Sequence, residues 1–206
     1  MKTFEFSPAT FIPFRDKAAV ERVRRIKRKD ITKHWNPEYK IQVVPDAKFE
    51  QKWISDIFQR IRHSAEEGRP LVMIMPNPWP NYVKVAALIN KHRVNCRRIH
   101  TFNMDEYADQ HGNIAPETWE YGFGYAFKKF FYAAINPALR PPEKQVHIFS
   151  NKTLKDYGKR LADLGGADIC YAGPGWTGHL AFIEPDAPEC AARSLAEWKK
   201  MGPRIC

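Results

Sequence analysis

"PLVMIMPNPWPNYVKVAALINKHRVNCRRIHTFNM", residues 70–104, decides how this chain folds. It opens on a short apolar run between two prolines, continues with Val85, Leu88 and Ile89 at helical spacing, and returns to an apolar run in "RRIHTFNM". Short continuous apolar runs bounded by breakers predict buried strands, and a 3.6-residue period predicts a helix. The unit reads strand, helix, strand. The alternation extends in both directions. Upstream lie "KIQVV" (40–44), read as another strand, and a helix carrying Phe49, Trp53, Ile57 and Ile61. Downstream come a helix in "TWEYGFGYAFKKFFYAAI" (118–135), a strand in "QVHIF" (145–149), a helix in "TLKDYGKRLADLG" (153–165) and a strand in "ADICYAG" (167–173). Such a pattern predicts an α/β fold with a Rossmann-like, open, mostly parallel sheet and helices on both faces. The aromatics Trp119, Tyr121, Phe123, Tyr125, Phe127, Phe130 and Phe131 read as core.

In sheets of this kind ligands bind beyond the carboxyl ends of the strands. Two polar stretches fall there. "TFNMDEYADQHGN" (101–113) places Asp105 and Glu106 directly after one strand, and "GPGWTGHLAFIEP" (173–185) places His179 and Glu184 after another. A carboxylate and an imidazole at neighbouring strand ends can move protons beside a carbonyl or on a sugar ring. Glu184 can orient His179, and Gly173, Gly175 and Gly178 allow backbone to approach a ligand closely. The remaining histidines show no i, i+4 pair, and no metal-ligand cluster stands out. Neither a metal nor a redox cofactor is expected.

The chain has 206 residues, a formal charge of +10 and 44% hydrophobic residues, enough for one sizeable core. Much of the charge is local, since Arg15 to Lys33 holds nine Lys or Arg against Asp16, Glu21 and Asp30. Val20, Val23 and Ile26 give this segment an amphipathic helical spacing, so residues 1–36 read as a basic extension and residues 37–206 as the α/β domain. No nucleic-acid motif accompanies the charge, which makes a nucleic-acid partner an unfavoured reading. No apolar run approaches the ~20 residues that span a bilayer. Four cysteines without a CxxC pair, and a start lacking the apolar core of a signal peptide, point to reduced thiols and a cytoplasmic location. The ending "SLAEWKKMGPRIC" reads as a helix, a turn and the first residues of another strand, so the chain is expected to stop before its fold is complete.

"FNMDEY" (102–107) followed by "GPGWTGHLAFIEP" resembles the glucosamine-6-phosphate deaminase family. Its members carry FNMDEY after one strand and G-x-G-x-D-G-H-I-A-F-N-E-P after another. The related 6-phosphogluconolactonases share the fold and the GHxA core, but usually continue toward S-L-F-P. The resemblance implies that Asp105 is the general base moving a proton between C2 and C1. It implies that His179 assists opening of the pyranose ring and that Glu184 supports His179. It also implies a sugar phosphate as ligand and no cofactor; a homo-oligomer is an assembly that the sequence leaves open. Asn77, Trp79, Glu106, Gly175, Thr177 and Gly178 are the candidate substrate-binding residues.

Two departures from the family pattern stand out. Thr177 replaces an aspartate before "GH", and a hydroxyl supplies no negative charge to the imidazole. "IMPNPWPNYV" (74–83) replaces a glycine-rich phosphate loop, and each proline removes an N–H donor. Trp79 offers instead a face for stacking on a sugar, against the plainer reading of a packed aromatic. Glu106 has a structural reading as well, as a cap or loop acid. The alternative functions are a sugar-phosphate-binding or regulatory relative without turnover, and a lactonase-type hydrolase on the same fold.

Overall fold

A computed structural model describes residues 16–175, 178–184 and 187–205. Strand β1 (Leu71–Met75) is central and pairs in parallel with β2 (Ile99–Asn103) on one side and β4 (Ile169–Cys170) on the other. Strand β3 (Val146–His147) pairs in parallel with β2, giving the order β3-β2-β1-β4. The chain builds outward from β1 through β2 to β3, then crosses to the opposite side for β4. Crevices form at such a reversal of strand order. The parallel α/β architecture expected from the alternation is the one observed.

Helix α2 (Asp46–Glu67) owes its length to the apolar stripe, and it stops at Gly68, whose φ of 66° suits a left-handed cap. Its buried face, Ile54, Ile57, Phe58 and Ile61, packs with α3 (Tyr82–His92) and with Leu71, Met73 and Met75 of β1. Helix α4 (Phe123–Phe127) continues into a π-helical turn, Lys128–Tyr132, and adds Phe127 and Phe131 to the same core. Helix α5 (Leu154–Asp163) covers the other face, where Tyr157 stacks on Phe149 at 3.8 Å and meets Phe102 edge-on. Alternate β1 side chains enter opposite cores, which is why this strand reads as a continuous apolar run.

Four expectations are corrected. Residues 40–44 form no strand; Val43 is exposed and no strand lies beside it to take its hydrogen bonds. Only the later part of residues 118–135 is helical, and Trp119 and Tyr121 are exposed because they precede the helix start at Phe123. Strands β3 and β4 are two residues each, far shorter than the apolar runs that announced them. Past α6 (Leu195–Lys200), residues 203–205 form no strand, and Ile205 packs on the core beneath α5 instead. Helix α1 (Lys17–Arg24) contributes no buried residue. No helix among the described residues is long and apolar enough to cross a membrane.

Candidate active site

The carboxyl ends of β2, β1 and β4 open together into a cavity of about 1060 Å³. Asp105 reaches it from β2, Asn77 and Trp79 from β1, and Gly173, Gly175 and His179 from β4. The pairing continues past the strands, with Met104 N–H donating to Met75 O at 3.0 Å and Tyr171 N–H to Ile74 O at 3.0 Å. The two polar stretches, about seventy residues apart in sequence, therefore meet because β2 and β4 flank one strand.

Asp105 is partly buried, and its Oδ1 has no hydrogen-bond partner among the described residues. Burial, and then the neighbouring Glu106 charge, push its pKa up to about 6, against an opposing pull from His179. A carboxyl group poised this way is suited to taking and returning a proton near neutral pH. His179 Nδ1 lies 2.6 Å from Glu184 Oε1, a separation at which the carboxylate fixes the tautomer and orientation of the ring.

Backbone geometry brings this pair together. Gly178 has a φ of 86° and donates its N–H to Gly175 O, while Gly175 N–H donates back to His179 O, both at 2.9 Å. A Cβ on Gly175 would overlap the His179 ring, so the glycine is required by close approach. Ala181 and Phe182 follow with φ of 55° and 58°. Left-handed residues that are not glycine cost on the order of 1 kcal/mol or more each, and such strain concentrates at functional sites. Here the reversal carries Glu184 back to His179.

Other candidates are placed differently. Glu106 was expected to bind ligand, but its carboxylate accepts N–H from Tyr107 and Phe123 at 2.9 Å and from Gly124 at 2.6 Å. It is occupied in holding the start of α4. Trp79 packs on Trp53 at 3.8 Å and meets Tyr82 at right angles, so it is a packed aromatic that also lines the cavity. Thr177 lies outside the described residues. No group of three or more His, Cys, Asp or Glu among the described residues could hold a metal ion.

Several cavity residues escaped sequence reasoning. Phe49, Lys52, Trp53 and Asp56 come from α2, whose apolar stripe runs past the edge of the core and into the cavity wall. Tyr171 donates to Asp56 Oδ2 at 2.5 Å, and Arg60 Nε donates to the same atom at 2.9 Å. Burial works against ionisation of Asp56, yet these two donors and the Arg60 and Lys52 charges hold its carboxyl below the usual range. A second cavity, about 1020 Å³, adjoins the first at Asp105, Tyr107 and Phe182 and reaches Glu184 and the α5 face. Asn103 lies at its edge, 1% exposed, with neither amide atom bonded among the described residues. Its place in "FNMDEY" was the signal available.

Two strand ends bring an acid and a supported imidazole to one cavity of a Rossmann-like parallel sheet. No protein-family model matches the chain. Glucosamine-6-phosphate deaminase of Caenorhabditis elegans is 30% identical over 139 residues, 63% of this chain and 48% of the relative. The Dictyostelium discoideum enzyme of that name is 26% identical over 72% of this chain and 52% of its own, and that of Clostridium beijerinckii is 28% identical over 71% and 60%. Among solved structures, a monomeric glucosamine-6-phosphate deaminase aligns with a TM-score of 0.53 and 20% identity over 67% of this chain and 58% of the other. The 6-phosphogluconolactonase of Leishmania guyanensis aligns at 0.54 and 13% over 74% and 66%. Over part of its length the chain is thus similar to glucosamine-6-phosphate deaminases. It spans about half the length of the curated relatives it matches.

Proposed function

We propose that this protein converts a 2-amino sugar to the corresponding ketose with release of ammonia, as the names of its relatives indicate for glucosamine 6-phosphate. The observation that carries the reading is the shared cavity, lined both by Asp105 and by a His179 tied to Glu184 at 2.6 Å. His179, oriented by Glu184, relays the proton between the C1 hydroxyl and the ring oxygen, and the pyranose opens to the aldehyde. Asp105 removes the C2 proton, leaving an enolamine, and returns a proton to C1. The C2 imine that results adds water and expels ammonia. Ordinary acid–base chemistry suffices for every step.

Ammonia release from glucosamine 6-phosphate tests this, with Asp105→Asn as control. Ammonia above background that disappears in the variant supports the reading; no ammonia from folded protein overturns it. The fold match to a lactonase favours hydrolysis of a sugar lactone as the second reading. Lactone consumption without ammonia would select it.

A further inference from the structure

We propose that the end of the cleft between α2 and residues 76–80 receives a part of the sugar that bears no phosphate, laid against Phe49 and Trp79. This rests on the cavity being a sugar site, as proposed above. A phosphate dianion needs clustered N–H donors or cations, and the N-terminus of the helix after a strand is the usual place for them. At α3 the helical amides are taken and half of the preceding turn lacks donors. Pro76, Pro78 and Pro80 have no N–H, and the first amides of the helix already donate within the turn, Tyr82 to Trp79 O at 3.1 Å, Val83 to Pro80 O at 3.2 Å and Lys84 to Asn81 O at 2.9 Å.

Charge points the same way. Among the described residues lining the cavity, Lys52 is the single Lys or Arg, and Asp56 stands one helical turn away on the same helix. The net +10 of the chain is not concentrated here. Beside neutral groups such as Ser55 and Gln59, the wall offers acceptors. Asn77 Nδ2 donates to Met75 O at 3.3 Å, which fixes the amide orientation and leaves its buried Oδ1 without a donor among the described residues. Asp105 Oδ1 is in the same position. Acceptor oxygens bind sugar hydroxyls and repel phosphate oxygens. Beside them Phe49, Trp53 and Trp79 present aromatic carbon of the kind that packs against the C–H face of a pyranose.

Calorimetric binding of glucosamine and glucosamine 6-phosphate to the full chain, at low and physiological salt, decides the matter. The expected result is dissociation constants within about threefold of each other and with the same salt dependence, since no phosphate contact forms. Phe49 is exposed, so Phe49→Ala keeps the fold, and it weakens both sugars about fivefold or more as aromatic contact is lost. Lys52→Met leaves both within about twofold, because an exposed charge with no phosphate facing it contributes little. A preference for the phosphorylated sugar of about tenfold or more, lost with salt or in Lys52→Met, overturns the inference, as does failure of either sugar to bind. Ammonia release is read separately. Equal binding without ammonia overturns the proposed activity alone, whereas ammonia formed with a strong phosphate preference overturns this inference alone.

Discussion

Asp105 concentrates the chemistry of the site in one titration. Its pKa near 6 places the charged form, the one able to act as a base, above that value, so kcat/KM is expected to rise through an acid limb near pH 6. The same shift carries a stability consequence. The folded state holds the proton more tightly than the unfolded chain, whose Asp titrates near 3.9, so stability falls as pH rises from about 4 to about 6 and stays lower above. Asp105→Asn should therefore stabilise the protein at pH 8, by on the order of 1 kcal/mol once solvent access is allowed for, and leave it unchanged at pH 3. Thermal melts at both pH values check this; equal shifts would show that the carboxyl is not perturbed. At Gly175 the prediction is steric. Gly175→Ala pushes the His179 ring off Glu184, and activity is expected to drop about 100-fold or more, since displacements near 1 Å carry that cost. A crystal structure of the variant with His179 unmoved would refute the cause.

At the scale of elements, Glu106 and β3 do work that a reading of motifs assigns elsewhere. The adjacent acids in "DEY" split their roles because β2 ends at Asn103: Asp105 faces the first cavity, and Glu106 turns to the start of α4. Glu106→Ala strands three N–H groups and should cost about 2–3 kcal/mol, read as a lower midpoint in urea. Glu106→Gln, which keeps an acceptor, should cost less. His147 on β3 stacks on Phe102 at 4.0 Å, and burial, then His100 and Arg160, lower its pKa to about 4. The sign is opposite to that of Asp105. An unfolded His gains its proton near 6.5, so this residue makes stability fall as pH drops from about 6.5 to about 4. His147→Phe is expected to flatten that part of the pH–stability curve; an unchanged curve would place the titration elsewhere.

At the scale of the molecule, the described part of the basic segment stands apart from the core, with no buried residue before Ile54. A chain starting at Pro37 is expected to melt within about 2 °C of the full one, no more than the shift that about 1 kcal/mol produces in a domain of this size. A larger loss would show that the segment packs on the domain. The alternating periods of residues 46–103 determined α2, β1, α3 and β2, because each element there has its own local signal and a full apolar face. The motif spacing likewise placed Asp105, His179 and Glu184 at strand ends. Local pattern said nothing about where α2 points its N-terminal turns, so Phe49, Lys52 and Asp56 went unread as cavity lining. Nor did it separate Glu106 from Asp105, since that depends on an α4 start seventeen residues downstream. "KIQVV" has the composition of a strand, but a strand needs a neighbour to pair with, and pairing is a property of the assembled sheet. Periodicity carried the parallel α/β plan, and spacing put Asp105, His179 and Glu184 beyond strand ends. Which of them share a cavity, and which described groups line it, followed from contacts between distant elements that no local pattern encodes.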